Sequence, residues 1–174
     1  MSEPLVTLTR SAWRDIKTQA AGQDREGGGL LMGKRTRYGN FKVQHIVGLT
    51  HVVSNDGIVL YDEDEVAHAR IAAYEMYKPL EPVGQWHSHP WPERSILALT
   101  NQITDDWDDP QSDVTAMLDG EVELVASIYP HTGHMLKSNE FNIRTRVAGR
   151  VICAEVWLRI RHGKIVPCRL TVRG

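Results

Sequence analysis

Apolar residues recur along this chain in two rhythms, strict alternation where a strand is predicted and a spacing of three to four where a helix is. Val6 and Leu8 mark a short strand, and Thr9 or Ser11 then stands ready to cap a helix through about residue 20, ended by Gly22. Residues 29 to 33 (GLLMG) and 41 to 49 (FKVQHIVGL) read as buried strands, with Tyr38, Gly39 and Asn40 supplying the turn of a hairpin between them. Residues 62 to 78 (DEDEVAHARIAAYEMYK) give the clearest helix. Its acidic first turn suits the positive end of a helix dipole, and Val66, Ala69, Ala73 and Met76 fall on one stripe expected to be buried. Pro79 and Pro82 end it. A short strand from Val83 to Trp86 then runs straight into His-Ser-His-Pro at 87 to 90.

A second helix is expected within 94 to 108. Val122 to Tyr129, Met135 to Phe141, Val151 to Ile160 and Ile165 to Val172 read as strands, the last two joined at His162 and Gly163. Helices and strands in mixed order predict an α/β or mixed α+β fold. At 174 residues, 41% hydrophobic and 24% charged, the chain can bury one full-sized core, so a single domain over 1 to 174 is expected. No apolar run approaches a membrane span, and the start MSEPLVTLTRSAWRDIK lacks the pattern of a signal peptide, which points to a soluble cytoplasmic protein with no membrane partner. Cys153 and Cys168 are too few for a disulfide framework and too far apart for a zinc knuckle, so both are expected to be reduced and structural.

The net charge is only −2, but it is unevenly distributed. Asp62 to Glu65 and Asp105 to Asp109 are acidic, whereas residues 144 to 174 hold eight Lys or Arg against Glu155 alone. Trp157, Arg159 and Arg161 alternate with Val156, Leu158 and Ile160, so the simplest reading of the basic segment is the solvated row of a half-buried strand. The basic residues are not interleaved with a stacking set of aromatics, which argues against a nucleic-acid partner.

The strongest chemical signal is the run WHSHP. Side chains two apart on a strand share a face, so His87 and His89 can offer two imidazoles to one cation while Ser88 turns away. A catalytic zinc generally takes three protein ligands and keeps a fourth position for water. Upstream, in REGGGLLMGKR from Arg25 to Arg35, Glu26 precedes three glycines that permit close backbone approach, followed by an apolar strand that anchors the carboxylate at a sheet edge. Taken alone, Glu26 reads better as a surface acid beside a flexible glycine turn. Gly28 to Lys34 also fits the spacing of a phosphate-binding loop, but Arg35 stands where a magnesium-binding Ser or Thr is needed, and a strand pattern follows instead of a helix.

Taken together, Glu-x-Gly-Gly-x-Leu-x-Gly (Glu26 to Gly33), an acid-capped helix and Gly-x-Trp-His-Ser-His-Pro (Gly84 to Pro90) resemble bacterial members of the JAMM, or MPN-plus, metalloprotease family. The resemblance spans roughly residues 5 to 145, leaving 146 to 174 as a carboxyl-terminal strand extension. It implies a cytidine-deaminase-like mixed sheet flanked by helices, and a Zn2+ ion held by His87, His89 and one aspartate, with Glu26 as the acid and base. It further implies a zinc-dependent isopeptidase or peptidase that releases a ubiquitin-like protein from a lysine or peptide conjugate. Activating and conjugating enzymes of the same pathway would be further partners, as in antiviral defence systems.

The chain departs from the family at the third ligand, because the position where Ser-x-x-Asp would put its aspartate holds Thr100. Asp105 is the nearest candidate, with Gln102 in the place of the serine, and Asp106 and Asp108 remain alternatives. Neither cysteine has a histidine signature beside it, so no nucleophilic mechanism competes, and His131 and His134 read as surface residues flanking a turn. Two other functions fit the same residues: a metal-free MPN-type scaffold that binds a protein partner, and a metallohydrolase acting on a small amide.

Overall fold

The computed structural model describes residues 3–22, 27–49, 53–55, 58–60, 63–90, 118–130 and 138–174. It is a mixed α+β fold dominated by one sheet.

The chain begins with β1 (Leu5–Thr9) and α1 (Arg10–Gly22). Of the two candidate caps it is Thr9 that closes the helix, its Oγ1 accepting from the Ala12 N–H at 3.2 Å. Strands β2 (Gly28–Arg35) and β3 (Phe41–Gly48) form the expected hairpin, antiparallel with Gly29 opposite Gly48. Glycine is required here: a Cβ on Gly29 would lie 2.1 Å from the Val47 carbonyl oxygen. A small separate hairpin of β4 (Val53–Asn55) and β5 (Ile58–Leu60) follows, then α2 (Glu63–Tyr77).

Strand β6 (Glu81–Pro90) lies antiparallel to β2 on one side and parallel to β7 (Val122–Pro130) on the other. Beyond β7 lies β9 (Arg150–Arg159), whose far edge is shared by β8 (Asn142–Val147) and β10 (Ile165–Pro167). Finally β11 (Arg169–Arg173) pairs parallel with β1. The order is β10-β9-β7-β6-β2-β3-β1-β11, with β8 also on β9. The sheet curls until its ends meet, the Leu170 N–H donating to the Glu140 carbonyl at 2.8 Å and the Cys168 N–H to that of Val156 at 2.8 Å.

This curl gives the sheet two unlike faces. One holds the main core, where Trp86, Leu124, Ala126, Ile128, Ile152 and Ala154 pack with Trp13 and Ile16 of α1. On the other face α2 covers Leu30 and Met32 through Ala73, with Ala69 and Tyr77 alongside. The rest of that second face mixes a small apolar cluster of Tyr129, Val151 and Cys153 with polar residues, the histidines among them.

Three details differ from the sequence reading. Met76 is 74% exposed, because the buried stripe of α2 runs through Ala69, Ala73 and Tyr77, four residues apart, with Tyr77 set against His45. The strand expected from Met135 to Phe141 is not formed over its described part. Asn139 Oδ1 accepts from the Phe141 and Asn142 N–H groups at 2.8 and 2.9 Å, an Asx-type turn that holds back the strand until Asn142. The strand expected from Ile165 to Val172 divides at Cys168, since β10 follows β9 while β11 crosses to β1. The carboxyl-terminal strands pair within the main sheet.

Candidate functional site

The central pair of the site is set by β6. Alternation places Trp86 and Ser88 on the core face and Gln85, His87 and His89 on the polar face, as extended backbone requires. His87 and His89 are 5% and 8% exposed, and their Nε2 atoms face each other at 2.9 Å. Their rings are tilted by 41°.

Behind His87 stands Glu123 of β7, 3% exposed, whose Oε1 lies 2.6 Å from Nδ1. A carboxylate only accepts, so a neutral His87 carries its proton on Nδ1 and offers its Nε2 lone pair toward His89. Glu123 is a residue of this candidate site that the sequence reading missed. Its signal was present: in Val122–Tyr129 it is the one charge within an apolar alternation, and buried acids are rare without a specific partner.

Ser88 works on the opposite side of the strand. Its N–H donates to the Gly27 carbonyl at 2.8 Å, its hydroxyl donates to the same oxygen at 3.3 Å, and it accepts from the Gly27 N–H at 3.0 Å. The residue between the two histidines therefore clasps the residue that follows Glu26 in the chain. Glu26 itself lies outside the described residues, as do Thr100, Gln102, Asp105, Asp106 and Asp108, and so do His131 and His134. Gly28 to Lys34 lies in a strand that returns as a hairpin, with no helix after it to cradle a phosphate.

The donor set fits a metal of the zinc type. Two nitrogens bound to one tetrahedral zinc at ~2.0–2.1 Å sit about 3.3–3.4 Å apart, so opening the 2.9 Å contact slightly would admit the ion. A carboxylate on the remote ring nitrogen is the usual outer partner of a metal-binding histidine. Among the described residues no group of three or more His, Cys, Asp or Glu side chains is arranged to share a metal, so a third ligand would come from elsewhere in the chain.

The comparisons with known proteins bear on the fold. It is shared with two bacterial proteins solved in solution. One, from Desulfitobacterium hafniense, superposes with a TM-score of 0.57 at 17% identity over 97% of this chain and 93% of its own. The other, from Salinibacter ruber, gives 0.52 at 18% identity over 96% and 91%. No family model matches the chain, and no curated protein matches it in sequence.

Cys153 and Cys168 are both free and buried, as expected. Burial, helped by the nearby Glu155, pushes the Cys153 thiol up to about 11 against a weaker pull from Arg144, and burial alone takes Cys168 up to about 12. Neither is a nucleophile at neutral pH. No described helix is long and apolar enough to cross a membrane.

Proposed function

We propose that this chain is a JAMM-type zinc metalloprotease, an isopeptidase or peptidase that releases a ubiquitin-like protein from a lysine or peptide conjugate. The observation that carries the reading is the convergence of His87 Nε2 and His89 Nε2, with Glu123 behind the first ring and Ser88 clasping Gly27. The two proposed ligands thus stand beside the backbone of the residue that follows Glu26, at the carboxyl-terminal end of β6. The mixed sheet with α1 on one face and α2 on the other is compatible with a JAMM-like, cytidine-deaminase-like architecture.

His87, His89 and Asp105 would hold the ion, with Asp106 or Asp108 as substitutes for the last. Bound zinc supplies a Lewis acid for the scissile carbonyl and lowers the pKa of water toward neutrality. Glu26 takes the proton of the attacking water and returns it to the departing amine. Glu123 keeps His87 in the tautomer that leaves its Nε2 lone pair free, which would suit a metal ligand, and Ser88 ties down the backbone next to Glu26. Activating and conjugating enzymes of the same pathway would make the conjugates that this enzyme opens, in the cytoplasm. A metal-free scaffold would give no reason to hold a buried Glu–His–His relay, and a small-amide hydrolase would leave this ligand set unchanged but cleave no polypeptide conjugate.

The test is elemental analysis of the purified chain, together with cleavage of a ubiquitin-like protein joined to lysine. About one zinc per chain is expected. Glu26→Ala should keep the zinc and lose cleavage, whereas His87→Ala and Asp105→Ala should lose both. An active Glu26→Ala protein, or a wild-type protein that takes up no zinc, would overturn the assignment.

A further inference from the structure

Beyond the histidines, the same sheet face carries a buried cation that the proposed chemistry does not use. Strand register places His89 opposite Ser127, Ser127 opposite Cys153, and Cys153 opposite Arg144. Directly paired residues point to one side of a sheet, so Arg144 shares the histidine face. Asn142, two residues earlier on β8, shares it too and stands in the row of His87, Val125 and Glu155.

Arg144 is 7% exposed and Asn142 4%. Among the described residues, Nε and Nη1 of Arg144 and Oδ1 of Asn142 have no hydrogen-bond partner. A desolvated guanidinium with two idle donors is costly, and an unpaired buried amide oxygen adds to that cost. The guanidinium also hydrogen-bonds the Cys153 thiol, which its raised pKa keeps neutral, so the nearest described carboxylate on this face is Glu155 in the adjoining row, which leaves Nε and Nη1 without a partner. The fold nevertheless fixes the backbone that carries both side chains: the Arg144 N–H donates to Ser138 Oγ at 2.8 Å, and the Asn142 N–H is held by Asn139.

We infer that Arg144 and Asn142 form a recognition subsite for an acidic residue of the polypeptide substrate, Arg144 taking the carboxylate and Asn142 Oδ1 accepting a peptide N–H. The two idle groups differ in polarity, which chooses between anions. A polypeptide brings a carboxylate and an N–H together at the spacing of neighbouring residues, whereas the P–OH donor of inorganic phosphate sits on the same atom as its acceptor oxygens. Three strand spacings separate the histidine and Arg144 positions, about 14 Å along the sheet, which about four extended residues would span. The acidic residue therefore lies within about four positions of the bond to be cut. This placement rests on the proposed peptidase reading, whereas the subsite's binding preference does not.

The full chain is titrated with two acetylated, amidated tetrapeptides that differ only in Asp against Asn, following the amide and Arg Nε resonances by NMR. The Asp peptide is expected to bind about tenfold tighter or better, the size of a charge-assisted hydrogen bond, and to shift Asn142 and Arg144. Arg144→Gln should erase the preference, and Arg144→Lys, which keeps the charge and the fold but not the fork, should retain part of it. Equal binding of the two peptides, a preference that survives in Arg144→Gln, or phosphate reproducing the same shifts would overturn the subsite. His87→Ala separates the two claims: the Asp preference persists there if the subsite is real, even should the wild-type protein prove to bind no zinc.

Discussion

Glu123 Oε1 and His87 Nδ1 meet at 2.6 Å across neighbouring parallel strands, both side chains buried. The contact is diagonal, since Glu123 is registered opposite Gln85, and it fixes the ring of His87 so that Nε2 faces Nε2 of His89. Removing the carboxylate frees that ring and leaves a buried N–H unpaired. Glu123→Ala should weaken zinc binding by about ten- to a hundredfold, as measured by competition with a chromogenic chelator. Glu123→Gln, which still accepts through its amide oxygen, should fall between. Unchanged zinc affinity in Glu123→Ala would remove the carboxylate from the site.

Ser88 gives the second prediction. Its hydroxyl makes two contacts to Gly27, and in Ser88→Ala the Gly27 N–H is left without its acceptor in a buried position. Urea denaturation should show a loss of about 1–3 kcal/mol. Zinc content should hold, because the backbone bond from the Ser88 N–H remains and neither imidazole is touched, while cleavage should fall as the segment beside Glu26 loosens. A variant as stable and as active as the wild type would show that the clasp is incidental.

Much of this arrangement was legible in the sequence because short-range patterns decide it. The β2–β3 hairpin, a helix α1 capped at Thr9 or Ser11 and the placing of His87 and His89 on one face follow from turn residues, a capping position and the two-residue period of a strand. The reading failed where a partner distant in sequence decides. Residues 165 to 172 look like one strand, but β11 leaves β9 to pair with β1 at the other end of the chain. Met76 and Tyr77 both suit an apolar stripe, and only packing against β2 and β3 selects Tyr77. Glu123 was visible as a charge out of place, yet its link to His87 depends on two strands lying side by side. The sequence favours Asp105 only as the nearest candidate, with Gln102 in the place of the serine, and leaves Asp106 and Asp108 open because ligand choice within an acidic run depends on backbone placement.

Gly84 joins the site strand to its parallel neighbour. A Cβ there would lie 1.8 Å from the Val122 carbonyl oxygen, which is backbone and cannot swing away. Gly84→Ala should force β6 and β7 apart, costing more than about 3 kcal/mol by overpacking and lost ladder bonds. Because Glu123 rides on β7, zinc affinity should fall along with stability. Thermal unfolding and zinc titration on the same sample test the pair, and a variant melting within a few degrees of the wild type would contradict the close approach.

The cysteines set the alkaline limit of the fold. Each thiol ionises more readily unfolded, near the ordinary 9.0, than folded, where Cys153 is raised to about 11 and Cys168 to about 12. The folded state therefore holds its protons more tightly, and this contribution is intact below pH 9.0 and lost as pH climbs toward 11 and 12. Stability measured by urea denaturation should decline through that window by several kcal/mol, about 7 at most. Cys153→Ala and Cys168→Ala should each flatten the decline, whatever their cost at neutral pH. At pH 8 the thiolate fraction of Cys153 is roughly a hundredfold below that of an ordinary cysteine, so iodoacetamide should label it only after unfolding. Rapid labelling of the native protein would show that the sulfur is not shielded as its burial on the histidine face of β9 requires.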